Sequence, residues 1–266
     1  MHIKRKQTGL QSRASPNNRP KCARGGVGLE IANIQRRTVD ANMREMRVKQ
    51  KKIVLAVTST PDRLLAAIPS LLTLAHILPQ IDGGYLVLSE AEWQGADEGP
   101  IVEARPRLRQ IGLETIMAEG SLRSYTGIVE IHRRHPKAQI LAVDDDVFYR
   151  RNALIRLLRR LRSAQTRDRP VIVCNRARRP KIENNTFLPY NRWRLRIVPH
   201  EGANSFVTKV GGSIFPPHLF DEVTLDIKRM MLLAPTADDV WHFAHSLRLQ
   251  IPVISCAPQK LQGDRV

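Results

Sequence analysis

The segment Ile140 to Asp146, ILAVDDD, constrains this chain more than any other. Four apolar residues are too few to do anything but form a buried strand, and they run directly into three carboxylates. Adjacent carboxylates at a buried strand end repel one another and are costly to desolvate, so a cation or a hydrogen-bond network has to compensate them. On an extended or tightly turning backbone, Asp144 and Asp146 point to one side and can share a hard divalent ion. Asp145 points away and can meet a second group, or Asp145 or Asp146 caps the following helix.

The surrounding pattern predicts an α/β domain. Ile53–Thr58 (IVLAVT) reads as a buried strand, and STPDR after it puts Pro61 where a helix over 62–78 begins, with Ser59 or Thr60 as cap. Gly83 and Gly84 precede a second strand, Tyr85–Ser89, which completes a β-α-β start. Residues 90–112 read as polar connection and 113–135 as helix with a break near Gly120 to Gly127. The helix 152–162 carries an Arg-rich face. Strands at 171–174, 213–215 and 252–255 and helices 218–231 and 237–248 complete one mixed, mostly parallel sheet with helices on both faces.

Composition adds an apparent contradiction. The 266 residues carry 43 Lys plus Arg against 25 Asp plus Glu, a net charge of +18, which points to phosphate-bearing partners. Residues 1–52 alone hold +11 of that excess, so they read as a mobile basic arm, with 53–256 the folded domain and 257–266 a tail. The acid clusters, rather than the charge, then mark the domain, and nucleic acid is not the expected partner. The longest apolar window, Ala66 to Leu78, is interrupted by Pro69, Ser70, Thr73 and His76, so no spanning helix is expected. Cys22, Cys174 and Cys256 are widely spaced, which fits a reducing compartment and disfavours a zinc or disulfide framework.

A second acid cluster, Asp238 and Asp239, lies in PTADDVWHF. Thr236 or Asp238 is a candidate helix cap, and either Asp is a candidate general base or acceptor-binding carboxylate. His242 and His245 share a helix face and could complete a metal site with imidazole nitrogens. Gly211 and Gly212 suit a close backbone approach to a ligand or an ordinary turn. Tyr190, Trp193 and Phe215 suit stacking or core packing, and Arg176, Arg178, Arg179 and Lys181 suit phosphate neutralisation or a solvated loop. The Walker, dinucleotide-binding and HExxH motifs are absent, and the serines that could serve as nucleophiles lack a GxSxG context.

The segments VTSTPDR (57–63), DEGP (97–100), ILAVDDDVFY (140–149), YNRW (190–193), GGSIFPP (211–217) and PTADDVW (235–241) resemble, in that order, a bacterial family of GT-A-type, family-2-like glycosyltransferases of surface polysaccharide assembly. The resemblance implies a GT-A-like fold and sugar transfer from a nucleotide-diphosphate donor to a saccharide or glycolipid acceptor, with inversion. It also implies Mn²⁺ or Mg²⁺ held by Asp146, with Asp144 at the ribose or sugar; together with the reading of the residues, the candidate metal ligands are Asp144, Asp146, His242 and His245. Ser59, Arg63, Asp144, Asp145, Gly211, Gly212 and Trp193 would then line the donor and acceptor cleft, and Asp238 or Asp239 would be the base. Such a protein works in the cytoplasm, peripherally at the inner face of the membrane, where residues 1–52 would meet anionic lipid. The competing expectations are a metal-dependent phosphoryl-transfer or nuclease enzyme, and a non-enzymatic protein that binds nucleic acid or an anionic surface.

Overall fold

A computed structural model describes residues 51–165, 169–196 and 199–256. The basic arm, the tail and Cys22 lie outside the described residues. The elements, in chain order, are β1 (Ile53–Thr58), α1 (Leu64–Leu72), β2 (Gly83–Ser89), α2 (Glu90–Trp93), α3 (Gly99–Gln110), β3 (Leu113–Ala118), α4 (Thr126–Arg134), β4 (Gln139–Ala142) and α5 (Arg151–Gln165). There follow β5 (Ile172–Cys174), β6 (Ala177–Arg179), β7 (Ile182–Glu183), β8 (Thr186–Phe187), β9 (Arg194–Leu195), β10 (His200–Gly202), β11 (Phe206–Val207) and β12 (Ser213–Phe215). The last are α6 (Ile227–Leu233), α7 (Asp238–Arg248) and β13 (Val253–Ser255).

An eight-stranded sheet in the order β10-β13-β5-β12-β4-β1-β2-β3 forms the centre. The pairs β1–β2, β1–β4, β2–β3 and β5–β13 are parallel, whereas β12 runs antiparallel to both β4 and β5, and β10 antiparallel to β13. This is a mixed α/β sheet covered on both faces. Leu141 and Val143 pack on one side with Leu64 and Leu71 of α1, Leu108 of α3 and Leu154 and Leu158 of α5. Ile140 and Ala142 pack on the other side with Ile128 and Ile131 of α4 and with Phe220. Alternate residues of so short a strand are buried on opposite faces, which is why it reads as a continuous apolar run.

Five expectations need correction. Helix 62–78 is α1 alone, followed by 3₁₀ turns at Thr73–His76 and Leu78–Gln80; Pro69 sits on its exposed face, where water can satisfy the carbonyl it leaves unpaired. Neither Ser59 nor Thr60 caps it, because Arg63 occupies that position without a side-chain cap, and Thr60 Oγ1 donates to Asp62 at 2.5 Å. Residues 90–112 contain α2 and α3. Residues 113–118 form an edge strand: Leu113, Ile116 and Met117 imitate helical spacing, but six consecutive pairings with β2 decide the outcome. Finally, residues 218–231 divide into a 3₁₀ turn at Pro217–Leu219 and α6, which Asp226 caps by accepting from the Arg229 N–H at 3.0 Å. Among the described residues, no helix is long and apolar enough to cross a membrane.

Candidate functional site

The first acid cluster lies in the turn that leaves β4, and neighbouring elements hold its backbone. The Asp144 N–H donates to the Tyr149 hydroxyl oxygen at 2.8 Å, and the Tyr149 N–H donates to Thr73 Oγ1 at 3.0 Å. The Ser70 hydroxyl of α1 donates to the Asp145 carbonyl. Two polar side chains at the end of α1 and one buried tyrosine therefore set the direction in which the carboxylates project.

The three aspartates differ in surroundings. Asp145 is buried, and Arg63, just before α1, donates to its Oδ1 while standing 3.6 Å from Asp146 Oδ2. Burial pushes the Asp145 carboxyl up, and the Ser59 hydroxyl and Arg63 draw it partly back. Asp144 is also raised, mainly by burial; Lys209 opposes the shift, and Asp146, Asp238 and Asp145 add to it. Asp146 is the most exposed, its side chain 40% accessible.

Asp238 and Asp239 open α7, whose N-cap is Ala237 with no side-chain bond, so neither Thr236 nor Asp238 caps it. Asp238 is ion-paired with Lys209, whose ammonium also donates to the Ser124 carbonyl at 3.2 Å. Burial pulls the Lys209 ammonium down, but the carboxylates of Asp238, Asp144 and Asp239 outweigh it, and the net shift is upward. Asp239 is raised to about 7 by burial and by Asp238, with Lys209 opposing. One lysine thus links the two acid clusters.

Gly211 and Gly212 position that lysine from behind. Both have positive φ, 88° and 92°, and the Gly212 N–H donates to the Lys209 carbonyl at 2.8 Å. A Cβ on Gly212 would come within 2.8 Å of Leu154 Cδ2, so the turn lies flat against α5. The Gly211 carbonyl accepts from Asn175 Nδ2 at 2.8 Å. The pair forms a tight turn packed on α5.

Between the clusters opens a cavity of about 490 Å³ at the C-terminal ends of β1 and β4. Thr58, Ser59, Thr60 and Arg63 form one wall, Val143 to Val147 another, and Glu92, Arg123, Ser124, Lys209 and Val210 the remainder. Ser59, Arg63, Asp144, Asp145 and Asp146 therefore meet in one place. Asp238 reaches it through Lys209 but does not line it, and neither do Asp239, Gly211, Gly212, Trp193, His242 or His245. Lys209, Arg123, Ser124 and Glu92 are missed by the sequence reading. Arg123 has a φ of 55°, an uncommon conformation for a residue with a side chain, in the turn that follows β3. Ser124 Oγ is buried without a hydrogen-bond partner in this lining.

The proposed metal set does not assemble. His242 is buried among Tyr125, Phe215 and Phe220, with ring centroids 5.9, 5.2 and 6.2 Å away, and burial lowers it to about 4. His245 packs on Trp241 at 4.3 Å, and its Nδ1 accepts from Arg248 Nε at 3.0 Å. Among the described residues, no group of three or more His, Cys, Asp or Glu side chains is arranged to hold a metal ion. The expectation of a bound Mn²⁺ or Mg²⁺ on Asp144, Asp146, His242 and His245 is therefore withdrawn. Trp193 belongs to an aromatic group with Phe187, Tyr190, Phe206 and Phe243, and its indole N–H donates to the Leu188 carbonyl at 2.7 Å. The group is half-buried, with Phe187 and Tyr190 exposed.

No family model matches the chain, and no curated protein does either. Solved structures do. The 4-diphosphocytidyl-2C-methyl-D-erythritol synthase of Anaerococcus prevotii superimposes with a TM-score of 0.51 at 14% identity, over 80% of this chain and 92% of that one. The 2-C-methyl-D-erythritol 4-phosphate cytidylyltransferase of Thermus thermophilus gives 0.46 at 14% identity, over 82% and 93%. A CMP:2-keto-3-deoxy-manno-octonic acid synthetase complexed with CTP gives 0.46 at 11%, over 77% and 89%. The similarity at 0.51 establishes a shared α/β fold. The family resemblance is not supported: these similar solved structures are named as a synthase, a synthetase and a cytidylyltransferase, none of them as a family-2-like glycosyltransferase. The expected glycosyltransferase activity, nucleotide-diphosphate-sugar donor and saccharide or glycolipid acceptor go with it.

Proposed function

We propose that the cavity between β1 and β4 binds a nucleoside triphosphate and transfers its nucleotidyl group to a phosphorylated acceptor. This is the phosphoryl-transfer alternative drawn from the sequence, in a narrower form. The observation that carries it is the convergence of Ser59, Thr60, Arg63, Arg123, Lys209 and the Asp144–Asp146 turn on one strand-end cavity. The shared fold with a 4-diphosphocytidyl-2C-methyl-D-erythritol synthase supports the reading, and on this reading the chain falls in the nucleotidylyltransferase branch of such α/β folds.

The chemistry follows from charge. Only one nitrogen of the Arg63 guanidinium is committed to Asp145 and Asp146, so its remaining donors are free for phosphate oxygens. The Arg123 side chain has no ion-pair partner among the described residues and supplies a second cation at the same wall. Asp144 and Glu92 accept hydrogen bonds from hydroxyl groups of the ribose or the acceptor. An acceptor phosphate oxygen, already ionised near neutral pH, attacks the α-phosphorus. The new P–O bond forms as the bond to the β-phosphate oxygen breaks, and pyrophosphate leaves with that electron pair. No general base is required for this attack. Arg63 and Arg123 stabilise the negative charge that accumulates on the phosphate oxygens.

Binding tests this before turnover does. Triphosphates of the four bases, supplied as magnesium salts, should raise the melting temperature of the full chain for at least one base. Arg63→Met should abolish most of that rise. A rise that is unchanged in the variant, or seen only with nucleoside-diphosphate sugars, would overturn the proposal.

A further inference from the structure

A second concave region lies outside this cavity and shares no residue with it. The strands β11-β6-β9 form a small antiparallel sheet, and β6 and β9 are paired so that Arg179 stands directly opposite Arg194. Like charges in that relation destabilise a strand pair. Arg192 from the 3₁₀ turn Tyr190–Arg192 and Lys181 join them around a cleft of about 460 Å³ whose remaining lining is Pro180 and Ile182. Arg179, Arg192 and Arg194 have no carboxylate partner among the described residues; only Lys181 does, with Glu183 at 2.6 Å. The positive potential reaches neighbouring groups: Arg196 and His200 are lowered, chiefly by burial and then by nearby arginines that include Arg179.

From this geometry we infer that the cleft formed by Arg179, Lys181, Arg192 and Arg194 is a binding site for a small, soluble, multiply charged phosphate ligand such as a phosphate chain or a phosphate ester. Three unpaired guanidiniums around one concavity present planar forks that suit phosphate oxygens. An anion lying between Arg179 and Arg194 relieves the repulsion built into the strand pair. The concave shape fits a soluble anion better than the flat face of a bilayer.

Tripolyphosphate is the probe, with titration calorimetry on the full chain in about 0.15 M chloride to screen diffuse charge. An Arg63→Met background weakens binding at the β1/β4 cavity. In that background, Arg179→Ser with Arg194→Ser should weaken tripolyphosphate binding about tenfold or more. Arg109→Ser with Arg159→Ser, an equal change in charge on exposed helical positions, should leave it unaltered. The cleft pair is exposed, and its removal also eliminates a like-charge contact. Without ligand, its melting temperature should therefore equal or exceed that of the parent. Equal weakening in both pairs, which indicates only net charge, or no weakening in either, overturns the site.

Discussion

The two acid clusters look alike in the sequence and are built differently. Asp144 to Asp146 occupy a turn that faces a cavity, and the cation that compensates them, Arg63, is 47% exposed and keeps donors for another anion. Asp238 and Asp239 begin a helix, and the cation that compensates them, Lys209, has a side chain only 15% exposed and holds both clusters together from beneath. The same local signal, carboxylates beside apolar residues, marks a ligand-facing wall in one case and an internal support in the other. What separates the two is the cation that each cluster meets, contributed by a distant part of the chain.

Removing each cation is the strongest way to break that contrast. Lys209→Met removes a buried ammonium that faces Asp238, Asp144 and Asp239 together and should cost about 3–5 kcal/mol, whereas Arg63→Met, which removes a half-exposed guanidinium from the single buried carboxylate of Asp145, should cost less, about 1–2 kcal/mol. Urea denaturation near neutral pH measures both, and similar losses would erase the distinction. The next effect is local. Gly212→Ala combines a positive φ with a Cβ only 2.8 Å from Leu154 Cδ2, and should destabilise by about 1–3 kcal/mol. Hydrogen exchange should then increase around Lys209 and the start of α7 but not in the turn after β4. Equal exchange at both would show that the clusters are not supported separately.

The smallest effect concerns pH. Asp239 is held near 7 against an ordinary value of 3.8, so the native state binds its proton more tightly, and its contribution to stability falls as pH rises from about 4 to about 7. His242, lowered to about 4 from 6.5, does the opposite: its contribution is present above 6.5 and is lost as pH falls toward 4. In the wild type these slopes oppose each other. Asp239→Asn removes one of them, so denaturation midpoints of the variant should rise from about pH 4 to about pH 6.5 more steeply than those of the wild type. Parallel curves would contradict the assignment.

The same contrast explains how far the sequence could be read. The strands β1, β2, β4 and β12 and the helices α5 and α7 follow from apolar runs, helical periodicity and glycine breaks, because local pattern and tertiary burial agree there. β3 was hidden because an edge strand with Leu113, Ile116 and Met117 has the spacing of a helix face. In the site, Ser59, Arg63 and the Asp144 turn were legible because they flank strand ends. Lys209 was not, although it directly precedes the turn at Val210 to Gly212, because an isolated lysine gives no local sign that Asp238 and Asp144 converge on it. His242 and His245 show the reverse error, in which correct helical spacing suggested a ligand pair but the surrounding aromatic rings fixed them as packing groups.

Phosphorus-31 NMR of the full chain incubated with a nucleoside triphosphate and a phosphorylated sugar tests the central claim most directly. The account predicts that pyrophosphate and a new diphosphate diester signal appear together in equal amounts, and that neither appears with Arg63→Met. Consumption of a nucleoside-diphosphate sugar without pyrophosphate, or turnover of the triphosphate that is indifferent to Arg63, would contradict it.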